Sequence, residues 1–355
     1  MYLKSYVYHS GGKYIKEMLF SFWVFTSGII VKTKRKLPKF EVFSSSCGNA
    51  DVLYGDNDNS FFDFEKYPLP FVDINITGIK SNSWSGHFSI VKKAIVNKSN
   101  VAIKTFKIFS KRNLIKELKI LKNIENIPNV IKVIAISGNQ TNPVVIYSYH
   151  KSSEYFDLTI DDFRWWLKKL LTTLDKLHFA GIIHRDIKLN NILAHFKKRE
   201  FALIDFGLAD FNRFSIQRNP KMGCLRIKSP EMLIGNPYFD CSSDMWAVGL
   251  ACLDLMIGLN NNWEAGSIEN LIKMMMKYFG SSEWNKFAER YDKNLIIKRT
   301  EERSIQNSIW EFALPTNPSL ITEQTIDLVQ KMLILDPKER ITAKEALLHP
   351  FFIDI

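Results

Sequence analysis

The residues of this sequence best suited to chemistry lie in the polar stretch 184–191 (HRDIKLNN), which follows an apolar run. In such a loop Asp186 can accept the proton of an attacking hydroxyl group, and Lys188 can neutralise a phosphoryl group in transit. Asn191 can bind a metal ion through its amide oxygen. A helix-capping aspartate in an ordinary polar loop is the alternative, but it does not explain why all these positions coincide. The stretch therefore predicts phosphoryl transfer.

A second candidate metal ligand follows a predicted buried strand. Residues 201–204 are apolar and run directly into Asp205, Phe206 and Gly207. A carboxylate at a strand end, followed by a hinge-like glycine, can hold Mg²⁺ between two phosphate groups. Asp-Phe-Gly alone is a common turn, but here it begins 19 residues after Asp186, which favours a shared site.

A lysine and a glutamate are expected to form a buried ion pair near these groups. Residues 101–104 (VAIK) predict a strand whose last residue, Lys104, faces a cleft. Glu117 lies beside the apolar stripe of a helix predicted over residues 110–124, and a charge in that position needs a partner. Pairing with Glu117 would hold Lys104 against the α- and β-phosphates of a nucleotide. The alternative is a glutamate that faces solvent, as most isolated glutamates do.

Three regions of different composition must position these residues. Residues 1–70 predict a partly disordered N-terminal extension, in which a short apolar segment (18–31) precedes a polar stretch (44–60) that predicts a loop. Residues 71–148 predict a strand-rich small lobe with one helix, and residues 149–355 predict a mainly helical large lobe. The expected fold is α+β and bilobal, and ligands favour the cleft between two such lobes.

Two helices dominate the predicted large lobe. Residues 163–177 place apolar side chains on one face, and Gly181 predicts the end of that helix. Residues 244–257 are apolar nearly all round, which predicts a buried central helix.

Composition bounds the class of protein and its partners. The 355 residues are 46% hydrophobic and 24% charged, which is typical of a globular protein. The four cysteines show no metal-ligand spacing and fit a reducing intracellular compartment. A net charge of +11 favours acidic partners, although a lysine-rich solvated surface is the simpler explanation.

The apolar segment 18–31 is too short to predict a membrane span. It has 14 residues without a charge, whereas a spanning helix needs roughly 17–25 apolar residues. No small-residue cleavage site follows it, so a signal peptide is not indicated either. We therefore expect an accessory helix or strand and no membrane association; a membrane anchor is the alternative. The basic run 32–36 could act as a signal for nuclear import, and a solvated surface is the alternative interpretation.

Together these motifs resemble the protein kinase family over about residues 72–353, and Lys188 is typical of its serine/threonine-specific members. Three further motifs agree with the resemblance: Ser229-Pro230-Glu231, Asp244-Met245-Trp246 and Arg340.

The resemblance implies a bilobal kinase fold, ATP and Mg²⁺ as cofactors, protein substrates, and an ion pair between Arg340 and Glu231. It also implies these roles: catalysis by Asp186 and Lys188; metal binding by Asn191 and Asp205; nucleotide binding by Lys104, Glu117, Gly86, Val91, Ser148 and His150.

Within the family, three stretches resemble the cell-division-cycle-seven kinase: residues 181–209, 86–89 (GHFS) and 340–352. This resemblance implies a kinase of the nucleus, also present in the cytoplasm, that triggers DNA replication. It further implies an activating regulatory subunit and subunits of the replicative helicase as substrates, with no direct binding of nucleic acid required. Casein kinase two is a rival, although it usually has tryptophan at the position of Phe206, and other cell-cycle kinases share the last stretch.

The turn expected to cover the phosphates departs from the kinase pattern. Aligned on Val91, the sequence has Trp84 and Ser89 in place of two of the three glycines, and only Gly86 remains. Glycines let backbone N–H groups approach phosphates closely, so the grip on ATP is expected to loosen. An insertion that brings Gly78 into the turn is the other possible alignment. These departures leave a catalytically weak kinase-fold scaffold as an alternative function.

The segment from Asp205 to Glu231 contains few hydroxyl groups. It has no threonine or tyrosine, and since Ser229 belongs to the Ser-Pro-Glu motif, Ser215 is the remaining candidate phosphorylation site. On alignment, Cys224 replaces a threonine that in the family bridges the catalytic aspartate and lysine, and a thiol is a weaker donor. An alignment shifted by one residue is the alternative. We therefore expect activation by a bound partner rather than by phosphorylation, and weak activity of the isolated chain.

Overall fold

The structure is a computed structural model, and it describes residues 20–26, 29–35, 47–54, 60–64, 67–152, 155, 157–214, 216–258, 266–292, 296 and 316–353. The chain divides into two units, Met1–Glu41 and Val42–Ile355. Much of the predicted N-terminal extension therefore lies outside the described residues, as does the candidate phosphorylation site Ser215.

The described part of the first unit is an antiparallel hairpin. Strand β1 (Phe20–Thr26) pairs with strand β2 (Ile29–Arg35). An accessory helix or strand was predicted for residues 18–31, and the strand is confirmed. Strand β2 continues into the basic run 32–36. Among the helices that the structure describes, none has the length and apolar character needed to cross a membrane.

The second unit combines a small lobe built on a sheet with a large helical lobe. Its elements are, in chain order, α1 (Ala50–Tyr54), β3 (Ser83–Ser85), β4 (Ser89–Val96), β5 (Ser99–Phe106), α2 (Lys111–Asn123), β6 (Val133–Gly138), β7 (Pro143–Ser148), α3 (Ile160–Phe179), β8 (Ile182–Ile183), β9 (Ile192–His195), β10 (Glu200–Leu203), β11 (Asp210–Phe211), α4 (Pro230–Leu233), α5 (Ser242–Ile257), α6 (Ile268–Phe279), α7 (Ser281–Tyr291), α8 (Glu323–Met332) and α9 (Ala343–Leu347). Five strands form the small-lobe sheet in the order β3-β4-β5-β7-β6, and neighbouring strands are antiparallel. The predicted α+β, bilobal fold is confirmed.

Local sequence explains the elements that carry the small-lobe site residues. Asn97 and Lys98, between β4 and β5, have φ angles of 47° and 62°, as the two central residues of a tight type I′ hairpin turn require. Helix α2 begins after Ser110, whose hydroxyl accepts the backbone N–H of Asn113 at 3.3 Å and so caps the helix. The turn and the cap are both local features. Strand β5 extends the strand predicted over residues 101–104 at both ends, and α2 agrees with the helix predicted over residues 110–124.

Two helices form the core of the large lobe as predicted. The face of α3 that the sequence indicated is fully buried: Phe163, Trp166, Leu167, Leu170, Leu174 and Leu177. The chain reverses just after α3 at Gly181, which has a φ of 66°. Helix α5 is buried on nearly every side, as a central helix with little amphipathic character would be.

Residues 47–54 pack against the large lobe, although their polar composition predicted a loop. The backbone N–H of Gly48 donates to the carbonyl of His178 (2.8 Å), and the N–H of Ala50 donates to the carbonyl of Asn212 (2.8 Å). The residues that α1 contacts are far away in sequence, so the local composition carried no signal of this packing. We refer to the described residues 47–54 and 60–64 as the N-terminal segment.

Three phenylalanines of the N-terminal segment close over strand β11. The ring centroids of Phe61 and Phe62 both lie 5.5 Å from that of Phe211, and the centroid of Phe64 lies 6.3 Å from it. The ammonium nitrogen of Lys119, on α2, lies 4.7 Å from the centroid of Phe61. The segment thus connects α2 with the chain that follows Asp-Phe-Gly.

Replacing Phe62 by alanine should lower the free energy of unfolding by about 3 kcal/mol or more, because a large buried ring is lost. Phe62 is 9% exposed and also packs under the guanidinium group of Arg213. The matched control is Val52→Ala in α1, which is 79% exposed and should change stability by no more than about 0.5 kcal/mol. Urea unfolding of the full chain measures both, and equally small changes would contradict the packing described.

Candidate active site

Separate elements bring the predicted site residues to one cleft between the lobes. Lys104 comes from β5, Glu117 from α2, and Asp205 follows the end of β10. Asp186 and Asn191 lie in the loop between β8 and β9, and β9 pairs with β10. The strand pairing therefore places the two loops that carry the oxygen ligands side by side.

The ammonium group of Lys104 is the charge at the centre of the cleft. Its Nζ lies 3.0 and 3.2 Å from the carboxylate oxygens of Glu117 and 2.9 Å from Oδ1 of Asp205. Lys104 and Glu117 are 6% and 3% exposed, so the predicted buried ion pair is present and the solvent-facing alternative for Glu117 is wrong. Burial opposes the charge of Lys104, but the two carboxylates outweigh it and hold the pKa of the lysine above its usual value.

Tyr147 is a site residue that the sequence did not reveal. It lies on β7 opposite Ala102, and its hydroxyl donates to Oε1 of Glu117 at 2.8 Å. Burial and the neighbouring carboxylate raise the pKa of Tyr147 well above its usual value, so the hydroxyl stays protonated and donates. The strand was predicted, but no motif marks this tyrosine, and only the register of β7 against β5 places it beside Glu117.

Asp205 has a backbone conformation that few residues other than glycine adopt. Its φ of 61° lies in the left-handed region, and its side chain is 44% exposed. A Cβ added to Gly207 would lie 3.2 Å from Oδ1 of Asp205 and 3.4 Å from Nζ of Lys104, so glycine keeps the space beside this pair open. Burial alone would raise the pKa of Asp205, yet Lys104 holds it below its usual value.

Asp186 is held by two other predicted residues of its own loop. Nζ of Lys188 donates to both carboxylate oxygens of Asp186 at 3.0 and 2.8 Å, and Nδ2 of Asn191 donates to Oδ2 at 2.7 Å. The same Nδ2 donates to the backbone carbonyl of Asp186 at 2.8 Å. Because the amide nitrogen of Asn191 is committed in this way, its amide oxygen is the atom left for another ligand.

Asp244, at the start of α5, binds the backbone of this loop. Its carboxylate accepts the backbone N–H groups of His184 and Arg185, both at 2.8 Å, and lies 3.0 Å from Nε2 of His178. Burial opposes the ionised form, but these donors and the nearby imidazoles hold the pKa of Asp244 below its usual value. The backbone just before Asp186 is therefore fixed by a buried charge.

Ser148 and His150 lie together where β7 ends, on the connection between the lobes. The Ser148 hydroxyl is 3.1 Å from Nε2 of His150 and accepts the backbone N–H of Lys132 at 3.2 Å. Burial lowers the pKa of His150, which favours a neutral ring. The structure brings these two residues to each other, and neither is hydrogen-bonded to the charged cluster around Lys104.

The turn between β3 and β4 closes without the two missing glycines. Trp84 pairs with Val91 across the strands, and the N–H of Gly86 donates to the carbonyl of Ser89 at 2.9 Å. Gly78 lies outside this turn, before β3 and beside the far end of β4. The alignment that required an insertion is therefore wrong, and Gly86 and Val91 occupy the predicted positions.

Cys224 lies exposed just before a short turn of 3-10 helix, Leu225–Ile227. Among the hydrogen bonds of the described residues, none joins its thiol to Asp186 or Lys188. Among the described residues, the Cys224 thiol thus does not form the bridge that the resemblance assigns to a threonine at this position.

The ion pair predicted between the Ser-Pro-Glu motif and Arg340 is confirmed. Nη1 and Nη2 of Arg340 each lie 3.0 Å from one carboxylate oxygen of Glu231, and both side chains are 0% exposed. Arg340 also donates to the carbonyls of Ser242 and Leu335 at 2.8 and 3.0 Å. The pair connects the helix α4 with the C-terminal part of the lobe.

The donors in the cleft fit a magnesium–nucleotide complex. The carboxylate of Asp205 and the amide oxygen of Asn191 are hard oxygen ligands of the type that Mg²⁺ takes. Lys104 provides a fixed cation beside them, and phosphates bind such point charges. The side chains present can therefore hold one divalent cation and the phosphates that accompany it.

Comparisons with known proteins agree with this geometry. Residues 84–352 match the protein kinase domain family. Among curated proteins, a probable serine/threonine-protein kinase from Dictyostelium discoideum is 30% identical over 324 residues, which cover 86% of this chain and 53% of that protein. The chain thus spans about half the length of the curated relative that it matches.

Replacing Arg340 by methionine should lower the free energy of unfolding by about 3–5 kcal/mol, because Glu231 would remain buried as an unpaired charge. Adding Glu231→Leu to this variant should recover part of the loss, since no charge is then left behind. The control is Lys286→Met, which breaks an exposed pair with Glu283 and should cost no more than about 1 kcal/mol. Urea unfolding compares the three, and an equal loss for the two single variants would contradict a structural role for the buried pair.

Proposed function

This chain belongs to the protein kinase family, and we propose that it transfers the γ-phosphoryl group of ATP to serine and threonine hydroxyl groups of proteins. The observation that carries the proposal is the carboxylate of Asp186, which accepts hydrogen bonds from both Lys188 and Asn191 within one loop. An aspartate that only capped a helix would need neither a lysine nor an amide on its carboxylate. The same cleft holds Lys104 between two carboxylates, as a phosphate-binding lysine requires.

Asp186 is proposed to orient the substrate hydroxyl group and to accept its proton as the oxygen attacks the γ-phosphorus. The bond from that phosphorus to the β,γ-bridging oxygen breaks, and ADP leaves with the electron pair. Lys188 lies 2.8 Å from Asp186 with 35% of its side chain exposed, so it can offset the charge of the transferred group. Proton acceptor and cation thus lie next to each other at the point of attack.

Asp205 and Asn191 would hold Mg²⁺, which when bound neutralises charge on the phosphates. Lys104 would hold the α- and β-phosphates, while Glu117 and Tyr147 keep its ammonium group in place. Since Lys104 already contacts Asp205, phosphates and metal would be bound at adjoining positions.

The remaining nucleotide contacts are assigned to the small-lobe sheet. Val91 lies opposite Lys104 in the register of β4 and β5, so both side chains project from the same face. This supports Val91 as a contact above the base and Gly86 as the turn residue over the phosphates. Ser148 and His150 lie at the end of β7 in the same sheet, and we assign recognition of the base to this connection.

The finer proposal is a replication-initiation kinase of the nucleus, also present in the cytoplasm, that requires a regulatory subunit and acts on subunits of the replicative helicase. Its support is the sequence resemblance of residues 181–209 and 86–89, and the lack of threonine and tyrosine between Asp205 and Glu231. A casein-kinase-two-like enzyme or another cell-cycle kinase is the alternative, and Phe206 counts against the first of these.

Replacing Asp186 by asparagine should reduce kcat by a factor on the order of 10²–10⁴, the usual contribution of a general base. The control is Asp161→Asn, whose side chain is 77% exposed on α3, and which should retain wild-type activity. Both variants are assayed for transfer of labelled phosphate to an acidic serine-containing peptide with ATP and Mg²⁺. Equal incorporation by wild type and Asp186→Asn would remove Asp186 from the mechanism, and no incorporation by any form would favour a scaffold.

A regulatory subunit should raise the activity of the chain by about 5- to 150-fold, the usual range for coupling between a partner and a site. The measurement compares the isolated full chain with the chain co-purified with its partner, on the same peptide. A complex that carries Asp186→Asn controls for contaminating kinases. Full turnover by the isolated chain would contradict dependence on a partner.

A further inference from the structure

Asp210 is a charged residue that the proposed reaction does not use, although it contacts both sides of the cleft. It begins β11, and its Oδ2 lies 3.1 Å from Nη1 of Arg185 and 3.4 Å from Nζ of Lys116. Its Oδ1 accepts the backbone N–H of Phe211 at 3.0 Å. One carboxylate thus joins the catalytic loop of the large lobe to helix α2 of the small lobe.

Both cations that Asp210 binds are adjacent in sequence to residues of the site. Arg185 precedes Asp186, and Lys116 precedes Glu117. A residue in a helix cannot shift without its neighbour, so a contact that anchors Lys116 also restrains the position of Glu117. In the same way, a contact that anchors Arg185 restrains the backbone that carries Asp186.

The surroundings of Asp210 contain more positive than negative charge. The side chains of Arg185 and Lys116 are only 5% and 17% exposed. Burial lowers the pKa of Lys116, and the nearby guanidinium groups of Arg185 and Arg112 lower it further. The carboxylate of Asp210 raises the pKa of Lys116, but not enough to restore its usual value. Arg218 contributes a further nearby cation. Asp244 also acts on Arg185, and Asp240 acts on Arg218. Without the carboxylate of Asp210, the ammonium group of Lys116 would face Arg185 with no carboxylate between them.

Neighbouring contacts fix Asp210 in the position where it meets both cations. It pairs with Ile183 across β11 and β8, and the next residue, Phe211, is packed under the phenylalanines of the N-terminal segment. Arg185 is also oriented independently, since its Nη2 donates to the carbonyl of Asn219 at 3.3 Å. The carboxylate therefore meets cations that are already in place.

The rest of the stretch from Asp205 to Glu231 offers little other negative charge for these cations. Among its described residues, the other carboxylates, Asp205 and Glu231, are paired with Lys104 and Arg340. Ser229 is 0% exposed at the start of α4, where a kinase could not reach it in the folded chain.

We propose that Asp210 is a positioning residue for phosphoryl transfer, and that its carboxylate performs within the chain the role of a phosphate group added to this segment. An added phosphate orders such a segment by pairing with arginine and lysine side chains. Asp210 makes the same kind of contact without any modification. This inference rests on the proposed kinase function. It states that the activity does not require phosphorylation of the stretch from Asp205 to Glu231, which is a separate question from activation by a subunit.

The test compares full chains that carry Asp210→Asn, Asp210→Glu or the control Glu125→Gln. Glu125 follows α2 and forms an exposed pair with Lys122, with side-chain exposures of 50% and 76%. Each protein is produced in bacteria, treated with phosphatase, and assayed for phosphate transfer to the acidic serine peptide, alone and with any co-purified partner. Hydrogen exchange of the α2 backbone amides is a second measurement that does not depend on activity.

We expect phosphatase treatment to leave the wild-type activity unchanged, and Asp210→Asn to lower kcat about tenfold with faster exchange in α2. Asp210→Glu should restore most of both properties, because it keeps the charge, and Glu125→Gln should match the wild type. Wild-type kcat and exchange in Asp210→Asn would overturn the inference, and so would loss of wild-type activity on phosphatase treatment. If the wild type transfers no phosphate in any condition, the proposed function fails, and hydrogen exchange alone decides whether Asp210 couples α2 to the loop.

Discussion

The ammonium group of Lys104 and the carboxylate of Glu117 are almost entirely buried. A buried charge is costly unless it has a partner, and each of these groups is a partner of the other. Their contact therefore sets how α2 lies against the sheet, because any displacement of the helix separates two buried charges. The hydroxyl of Tyr147 adds a neutral donor to the same carboxylate. Asp205 in turn depends on Lys104, because burial alone would raise the pKa of its carboxyl group and the ammonium group of Lys104 lowers it. The sheet, the helix α2 and the loop that carries Asp205 are thus joined by one buried group of charges.

The same requirement for paired charges extends through the large lobe. Asp210 lies between cations from α2 and from the loop 184–191, and Asp244 accepts two backbone N–H groups of that loop. The pair of Glu231 and Arg340 then connects the end of the segment to the C-terminal helices. Each of these carboxylates contacts elements that are distant in sequence, so each joins two parts of the fold. The arrangement of the candidate site residues is stabilised by several such contacts rather than by one motif.

The sequence was sufficient to predict residues whose type and spacing are imposed by the chemistry. Asp186, Lys188 and Asn191 lie close together because one short loop carries them all. Lys104 and Glu117 were predictable as partners because a charge beside an apolar stripe must be compensated. The bilobal fold followed from strands and helices with strong local patterns.

Contacts between distant segments were not predictable in this way. Helix α1 occurs in a polar stretch whose composition predicts a loop, and its packing depends on backbone groups of the large lobe. Tyr147 is one of several apolar or aromatic residues in a strand, and nothing local distinguishes it. Asp210 follows Asp-Phe-Gly as an ordinary acidic residue, and only the fold brings Arg185 and Lys116 to it.

Tyr147 also has a consequence for small-molecule inhibitors of this protein. A compound bound at the proposed nucleotide site that displaced the ring of Tyr147 would have to break the hydrogen bond that its hydroxyl group donates to Glu117 at 2.8 Å. Displacing that ring would leave a buried hydroxyl group and a buried carboxylate without their shared hydrogen bond, which typically costs about 1–3 kcal/mol. Trp84, which is 62% exposed and pairs with Val91, offers an aromatic contact that leaves this hydrogen bond in place.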